Sequence, residues 1–368
     1  MPAPQKSRVT GVKNAKGKAK LAKKEQQPKI VEEKSLETRI PPETQQLILD
    51  IFRNSFRGRI ESDDFQSLLQ EVKGHLFDRN FKEAFGREDY LEAYAARWSP
   101  SRALGYLGVL WRMRESLDLV QDAEEQPDAT ENDASKSWKV ACLGGGAGAE
   151  IGTLGGLHRL LLDEHRENGE AQPKDMEVVA IDSADWSQVV DQLTQQITTP
   201  PPLSKYASAA VKAANRPLAE PSAFKTVFYQ YDLLTVDPAT LTTALSGANL
   251  VTLMFTLNEL YSTSISQTQA FLLHLTNALK PDAMLLVVDS PGSYSTVSLN
   301  GADKNYPMQW LLDHTLLADT SGGKAKEEVR MWEKVQEDDS RWFRLDDRLS
   351  YPIELENMRM QLHLYRRL

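Results

Sequence analysis

A chain of 368 residues, 41% of them apolar, has material for one large core or two smaller ones. Its net charge of −9 conceals a basic start, because the first 24 residues carry eight Lys and Arg and no acid, leaving the remainder more acidic still. A single cysteine, Cys142, excludes an intramolecular disulfide, the six histidines show no zinc-ligand spacing, no apolar run approaches the roughly 20 residues that span a bilayer, and "MPAPQKSRVTGVKNAKGKAK" lacks the apolar block of a secretory signal.

In chain order, residues 1–36 form a basic, Ala/Gly/Lys-rich arm suited to phosphate contacts, to an import signal or simply to solvation. Residues 37–120 are predicted to form a small helical subdomain. In "ESDDFQSLLQEVKGHLFDR", Phe65, Leu68, Leu69, Val72 and Leu76 recur at helical spacing behind a Ser62 or Asp63 cap. "REDYLEAYAARW" is a second helical pattern that should stop at "SPSRALGYLGVLWRM", where Ser99 reads as an N-cap and Pro100 as the first residue of a new helix. Residues 121–136 are acidic and nearly free of large apolar residues, the composition of an exposed linker.

From Trp138 strand and helix signals alternate: "WKVACL", a helix over about 150–165, "MEVVAID", "FKTVFYQYDLL", "ANLVTLMFTL", a helix at "SQTQAFLLHLTNAL" and "AMLLVVDS". Such alternation predicts a parallel α/β sheet over 137–368. The closing "NMRMQLHLYRRL" alternates Met358, Met360, Leu362 and Leu364 with Arg359, Gln361, His363 and Tyr365, the pattern of a half-buried strand. Two segments, "TTPPPLSKYASAAVKAANRPLAEPSA" and "PGSYSTVSLNGADKNYP", read as insertions able to overhang a site.

The stretch "VACLGGGAGAEI" brings a strand into four glycines and then a helix, an arrangement that exposes backbone and a helix N-terminus to a ligand. Gly144, Gly146 and Gly148 spell the G-x-G-x-G loop of S-adenosylmethionine enzymes, while Gly144, Gly146 and Ala149 also satisfy the dinucleotide pattern. Three acids discriminate. Glu150, in the first helical turn, would repel a pyrophosphate but suits a cationic methionine moiety. Asp182, ending "VVAID", is placed for the ribose hydroxyls of either cofactor. Asp232, in "YQYDLL", is placed for an adenine amino group with Leu233 on the ring. Together they favour S-adenosylmethionine. The fourth strand ends in "FTLNELYSTS", so Asn258, Glu259 and Tyr261 are the polar groups nearest the transferable methyl, with helix capping by Asn258 as the other reading of that segment.

"YAARWSPSRALGY", "VACLGGGAGAE", "FTLNELYS" and "YPIELENMRMQLHLYRR" together resemble the fungal 25S ribosomal RNA (uridine-N3)-methyltransferases, over about residues 75–368. The resemblance implies a Rossmann-like class I methyltransferase sheet with an antiparallel C-terminal strand, preceded by a helical region. It also implies S-adenosylmethionine as donor, a uridine of large-subunit rRNA in a pre-60S particle as acceptor, and a nucleolar workplace; a monomer with no metal is expected. It carries Gly144, Gly146 and Gly148 onto the donor loop, Asp182 and Asp232 onto the ribose and adenine acids, and Asn258 to Tyr261 onto the acceptor side. Many methyltransferases carry an acid two residues before the first glycine, where this chain has Cys142, and Glu150 is the candidate to replace it. Methylation at uridine N3 requires loss of the imide proton, for which Glu259 is the first candidate and Asp289 the second. Tyr261 and Tyr294 are candidates to shelve the base, and Arg97 and Arg102 to hold RNA phosphate, since Arg102 near an expected helix start would oppose the helix dipole. The rivals are an NAD(P) oxidoreductase, a ribosome-assembly factor that keeps the donor fold, and a methyltransferase for a protein or small molecule.

Overall fold

In the computed structural model the described residues are 40–120, 137–169, 172–292, 294–299, 302–317 and 330–368; the side chains of 294–299 and 302–305 are outside the description. The basic arm and the acidic linker lie outside the described residues.

Strands β1 (Ser137–Leu143), β2 (Asp175–Asp182), β3 (Phe224–Gln230), β4 (Leu250–Met254) and β5 (Met284–Asp289) are parallel, and β9 (Met358–Arg367) runs antiparallel between β5 and β8 (Trp332–Phe343). The sheet order is β3-β2-β1-β4-β5-β9-β8, with β6 (Tyr294–Leu299) and β7 (Ala302–Pro307) forming a separate hairpin. The order reverses between β1 and β4, so the carboxyl ends of these strands diverge into a crevice where an open α/β sheet binds its ligand.

Period-two alternation divides the strands between two cores. Val140, Cys142, Val178, Ala180 and Leu286 pack on one face, and Ala141, Leu143, Val179, Ile181 and Leu285 on the other. Both faces are covered by helices, which accounts for the near-continuous apolar runs. The first face meets α6 (Ala149–Asn168) and α7 (Ser187–Thr198), and the same core takes in α1 (Pro42–Ser55), α3 (Phe65–Phe77) and α5 (Glu88–Met113). The second face meets α9 (Pro238–Leu245), α11 (Ile265–Ala278) and α12 (Met308–Leu316). The glycines of α6 let the N-terminal helices come close. A Cβ on Gly152 would lie 2.7 Å from Phe52, and one on Gly156 2.5 Å from Ile48.

Three local expectations are corrected. First, "REDYLEAYAARWSPSRALGY" does not break. α5 is one helix of 26 residues that passes through Pro100. A proline inside a helix strands the carbonyl four residues earlier, here Ala96, and the Tyr351 hydroxyl donates to that oxygen at 2.8 Å. Ser99 does not cap; its hydroxyl donates to the Ala147 carbonyl at 2.6 Å and ties α5 to the glycine loop. Second, β9 is buried on both faces from Met360 to Tyr365, because Met360, Leu362 and Leu364 meet the first core while Tyr365 meets the second. Its Gln361 is accommodated by donating to the Ser290 carbonyl at 2.8 Å, and His363 pairs with Gln361 Oε1 at 3.2 Å. Third, the segment 198–223 does not overhang the crevice. It carries the short α8 (Ala209–Ala214), and its Leu218 packs against Gly155 and beside Ile197 on the outer side of α6 and α7. The β6–β7 hairpin lies against α10 (Leu257–Thr263).

Candidate active site

The crevice at the carboxyl ends of β1, β2 and β4 opens into a cleft of about 740 Å³, lined from three directions. The sheet supplies Gly144, Asp182, Asp232 and Asp289, the start of α10 supplies Thr256, Asn258 and Glu259, and the N-terminal helices supply a cationic and aromatic wall.

The glycine loop is bare mainly for the sake of the protein's own side chains. Gly144 and Gly148 hold φ of +77° and +83°, values that L side chains rarely adopt. A Cβ on Gly146 would strike the Trp186 ring, and one on Gly144 the Thr256 side chain. Gly144 lines the cleft, whereas Gly146 and Gly148 serve packing and loop shape. The Gly146 amide donates to Asp182 Oδ2 at 3.1 Å, which fixes the loop against the end of β2.

The acids differ in environment. Glu150 is 4% exposed, and its Oε1 has no hydrogen-bond partner. Burial pushes its carboxyl up to about 8. It sits beside Cys142, whose thiol is also pushed up by burial. Burial likewise lifts Asp182 to about 6, opposed by amide donors from Ala184 and Gly146. Asp289, 3% exposed, is lifted to about 6, again by burial. It accepts from the Asn258 amide at 3.0 Å and the Ser290 amide at 2.7 Å. Asp289 is therefore the acid at the start of α10, and Asn258, inside that helix, is not its cap. The Asn258 Oδ1 and Glu259 Oε2 atoms are buried and unpaired by hydrogen bonds, and Arg79 Nη1 approaches Glu259 Oε2 to 3.7 Å. Asp232 is exposed on the cleft wall, its Oδ1 accepting from the Leu234 amide at 2.9 Å in a local turn.

Phe255 joins β4 to this segment with a φ of +59°, a left-handed conformation that a phenylalanine adopts only under tertiary constraint. It stacks on Tyr106 at 6.2 Å and lies under the Arg102 guanidinium at 5.5 Å. Arg102 also donates to the Tyr94 hydroxyl at 2.5 Å.

The remaining predicted residues separate. Arg97 is 7% exposed, ion-paired with the exposed Glu356, and does not line the cleft. Tyr261 is 2% exposed on the far side of α10, in the core with Phe271 and Leu312. It offers no shelf. Tyr294 opens β6, with its side chain outside the description.

Sequence reasoning missed the aromatic wall and Arg79. The wall has a signal in "DYLEAYAARW": Tyr90, Tyr94 and Trp98 recur every four residues on one helix face, of which Tyr94 and Trp98 line the cleft, and Tyr94 packs on Trp98 at 4.9 Å and Phe85 at 5.1 Å. Arg79 had none beyond a basic residue in a turn.

Residues 52–366 match a family of S-adenosylmethionine-dependent methyltransferases. The chain belongs to that family. It is 31% identical over 342 residues, covering 89% of this chain and 86% of the relative, to the 25S rRNA (uridine(2843)-N(3))-methyltransferase of Saccharomyces cerevisiae. Among solved structures it is similar to an S-adenosylmethionine-dependent methyltransferase from Methanosarcina mazei (9% identity, 63% of this chain and 93% of that one, TM-score 0.32). A second is an O-methyltransferase family protein from Burkholderia thailandensis (13% identity, 83% and 70% covered, TM-score 0.34).

Family membership makes the protein an S-adenosylmethionine-dependent methyltransferase and closes the dinucleotide reading that the glycine loop alone leaves open. The cleft fits this donor. A desolvated acid with an unpaired oxygen, Glu150, is a site that a cation relieves and a pyrophosphate would worsen. Among the described residues no cluster of His, Cys, Asp and Glu could hold a metal ion, and no helix is long and apolar enough to cross a membrane.

Proposed function

We propose that the protein methylates N3 of a uridine in large-subunit ribosomal RNA. The observation that carries this reading is the 31% identity over 89% of the chain to the yeast uridine-N3 enzyme. In this reading Glu150 holds the methionine ammonium, Asp182 the ribose hydroxyls and Asp232 the adenine amino group. Bound there, the donor supplies an electrophilic methyl on a sulfonium.

The chain's own residues present the acceptor. Uracil shows an acceptor, a donor and an acceptor along its Watson–Crick edge, so the base must be unpaired to be read. Asn258 and Glu259 each place a buried oxygen without a hydrogen bond at the end of β4, that of Glu259 lying 3.7 Å from the Arg79 guanidinium. The amide of Asn258 can also donate, its O and N being interchangeable by a flip. Asn258 then holds a uracil carbonyl, and Glu259 accepts the N3 proton. As that N–H bond breaks, the N3–methyl bond forms and the sulfur–methyl bond opens, leaving S-adenosylhomocysteine. Asp289, occupied by two backbone amides, fixes α10 and with it this pair. Much of the acceleration comes from in-line placement of N3. The substrate places the work in the nucleolus on pre-60S particles, and the basic arm of residues 1–36 suits both import and RNA contact.

The test is transfer of labelled methyl to large-subunit rRNA fragments, with nucleoside mass spectrometry of the product. The expected product is 3-methyluridine. Label confined to another nucleoside, or to protein, refutes the proposal.

A further inference from the structure

The cleft has an acidic floor, but its outer edge has the opposite character. Lys73 and Phe77 on α3, Arg79 in the following turn and Phe81 on α4 (Phe81–Ala84) line the mouth. Asp78 and Glu83 belong to the same segment but do not line the cleft, so the side that faces it carries cations and no acid. In a chain whose body is strongly acidic, this sorting is a local basic surface of the kind RNA requires.

Phe77 is 89% exposed, the most exposed large apolar side chain among the described residues. Little of its surface is covered, and an aromatic ring held open beside cations is the element on which unpaired bases stack. Lys73 lies four residues earlier on the same helical face and has no carboxylate within ion-pair distance among the described residues. The turn that follows is fixed: Asn80 donates its amide to the His75 carbonyl at 2.8 Å, and Arg79 is held at a φ of +54°. From there Arg79 reaches Glu259 at 3.7 Å, so the edge touches the acceptor segment itself.

From these observations we infer that the α3–α4 edge is the platform for single-stranded RNA flanking the target nucleotide, with Phe77 stacking on a neighbouring base and Lys73 and Arg79 holding the flanking phosphates. This rests on the RNA reading above. A base displaced between such a lip and the acidic floor passes from phosphate-holding cations to the donor-holding acids, which explains why one cleft carries both charges.

The test uses the full chain and a fluorescein-labelled single-stranded RNA dodecamer with a central uridine, read by anisotropy beside S-adenosylmethionine titrations. Phe77→Ala should weaken RNA binding about tenfold, and Phe77→Trp should restore it, because stacking needs a ring and not a particular one. Lys73→Ala should weaken binding and reduce the slope of log affinity against log salt by about 0.7, the single-strand value per phosphate contact. Both variants should bind S-adenosylmethionine as the wild type does. Leu273→Ala, at an exposed apolar residue of α11, should change nothing. Wild-type RNA affinity in both edge variants overturns the proposal. So does an affinity that survives them but falls in Trp342→Ala, where Arg344 and Arg359 flank an exposed ring on β8. A wild-type protein that binds and methylates no RNA refutes the acceptor assignment instead, so the two failures are distinguishable.

Discussion

Glu150→Gln tests the donor site most directly, because burial of its carboxyl sets the sign of the effect and its approximate size. Burial raises the Glu150 carboxyl from 4.5 to about 8 in the protein without donor. An acid whose folded value is raised binds its proton more tightly in the folded state. Its contribution is therefore most favourable below the unfolded value near 4.5, and stability is lost as pH climbs from there to about 8. The ceiling of that loss is roughly 5 kcal/mol at about 1.4 kcal/mol per unit. Glutamine never ionises and should remove the dependence. Donor binding inverts the preference, since an ammonium beside Glu150 favours the carboxylate. With a value of about 8, about 1% of Glu150 is ionised at pH 6 and about half at pH 8. A donor α-amino group near 7.7–8.0 falls from nearly full charge to about half over the same interval, so the product of the two fractions rises roughly twentyfold. Calorimetric titration should therefore show S-adenosylmethionine binding roughly twentyfold tighter at pH 8 than at pH 6, and weakening again above that. Glu150→Gln should bind more weakly at pH 8 and keep only a shallow slope from Asp182, which titrates at about 6. 5′-Methylthioadenosine, which lacks the amino acid, is the control and should show no twentyfold step. A flat wild-type profile, or a glutamine variant that retains the full step, would refute the assignment of Glu150 to the ammonium.

Other expectations follow from single contacts. Tyr351→Phe should lower stability by about 1–2 kcal/mol in denaturant titrations, because it leaves the Ala96 carbonyl beneath Pro100 without a donor, and an unchanged midpoint would show that another group satisfies it. Asp232→Ala should weaken S-adenosylmethionine by roughly 1–3 kcal/mol; adenosine analogues without the amino group that bind wild type undiminished would remove Asp232 from the adenine. Glu259→Gln should retain donor and RNA affinity while losing about 10² to 10⁴ in turnover, and a loss below about tenfold would make it a positioning group.

The sequence by itself determined what short-range chemistry determines. Strand–helix alternation set the parallel sheet, four glycines between β1 and α6 marked the loop, Glu150 fell in the first turn of α6, and Asp182 and Asp232 fell at or just past the strand ends where an α/β sheet holds its ligand. Each of these is read from neighbours within a few residues, because backbone conformation and side-chain periodicity are local. Only the tertiary structure decided the questions whose answer lies far along the chain. Pro100 stays inside α5 because Tyr351, 255 residues from Ala96, supplies the missing donor. Arg97 does not line the cleft because Glu356, 259 residues distant, pairs with it at the surface. Asp289 holds α10 from a different strand, so Asn258, whose other reading was a helix cap, is left to face the cleft. Tyr261 lies in the core because the rotation of a seven-residue helix, set by packing against α12, decides which face meets the site. Gly146 is glycine because Trp186 occupies the space of its missing side chain. In each case a polar group or a volume had to be satisfied, and the partner that satisfied it was chosen by the fold.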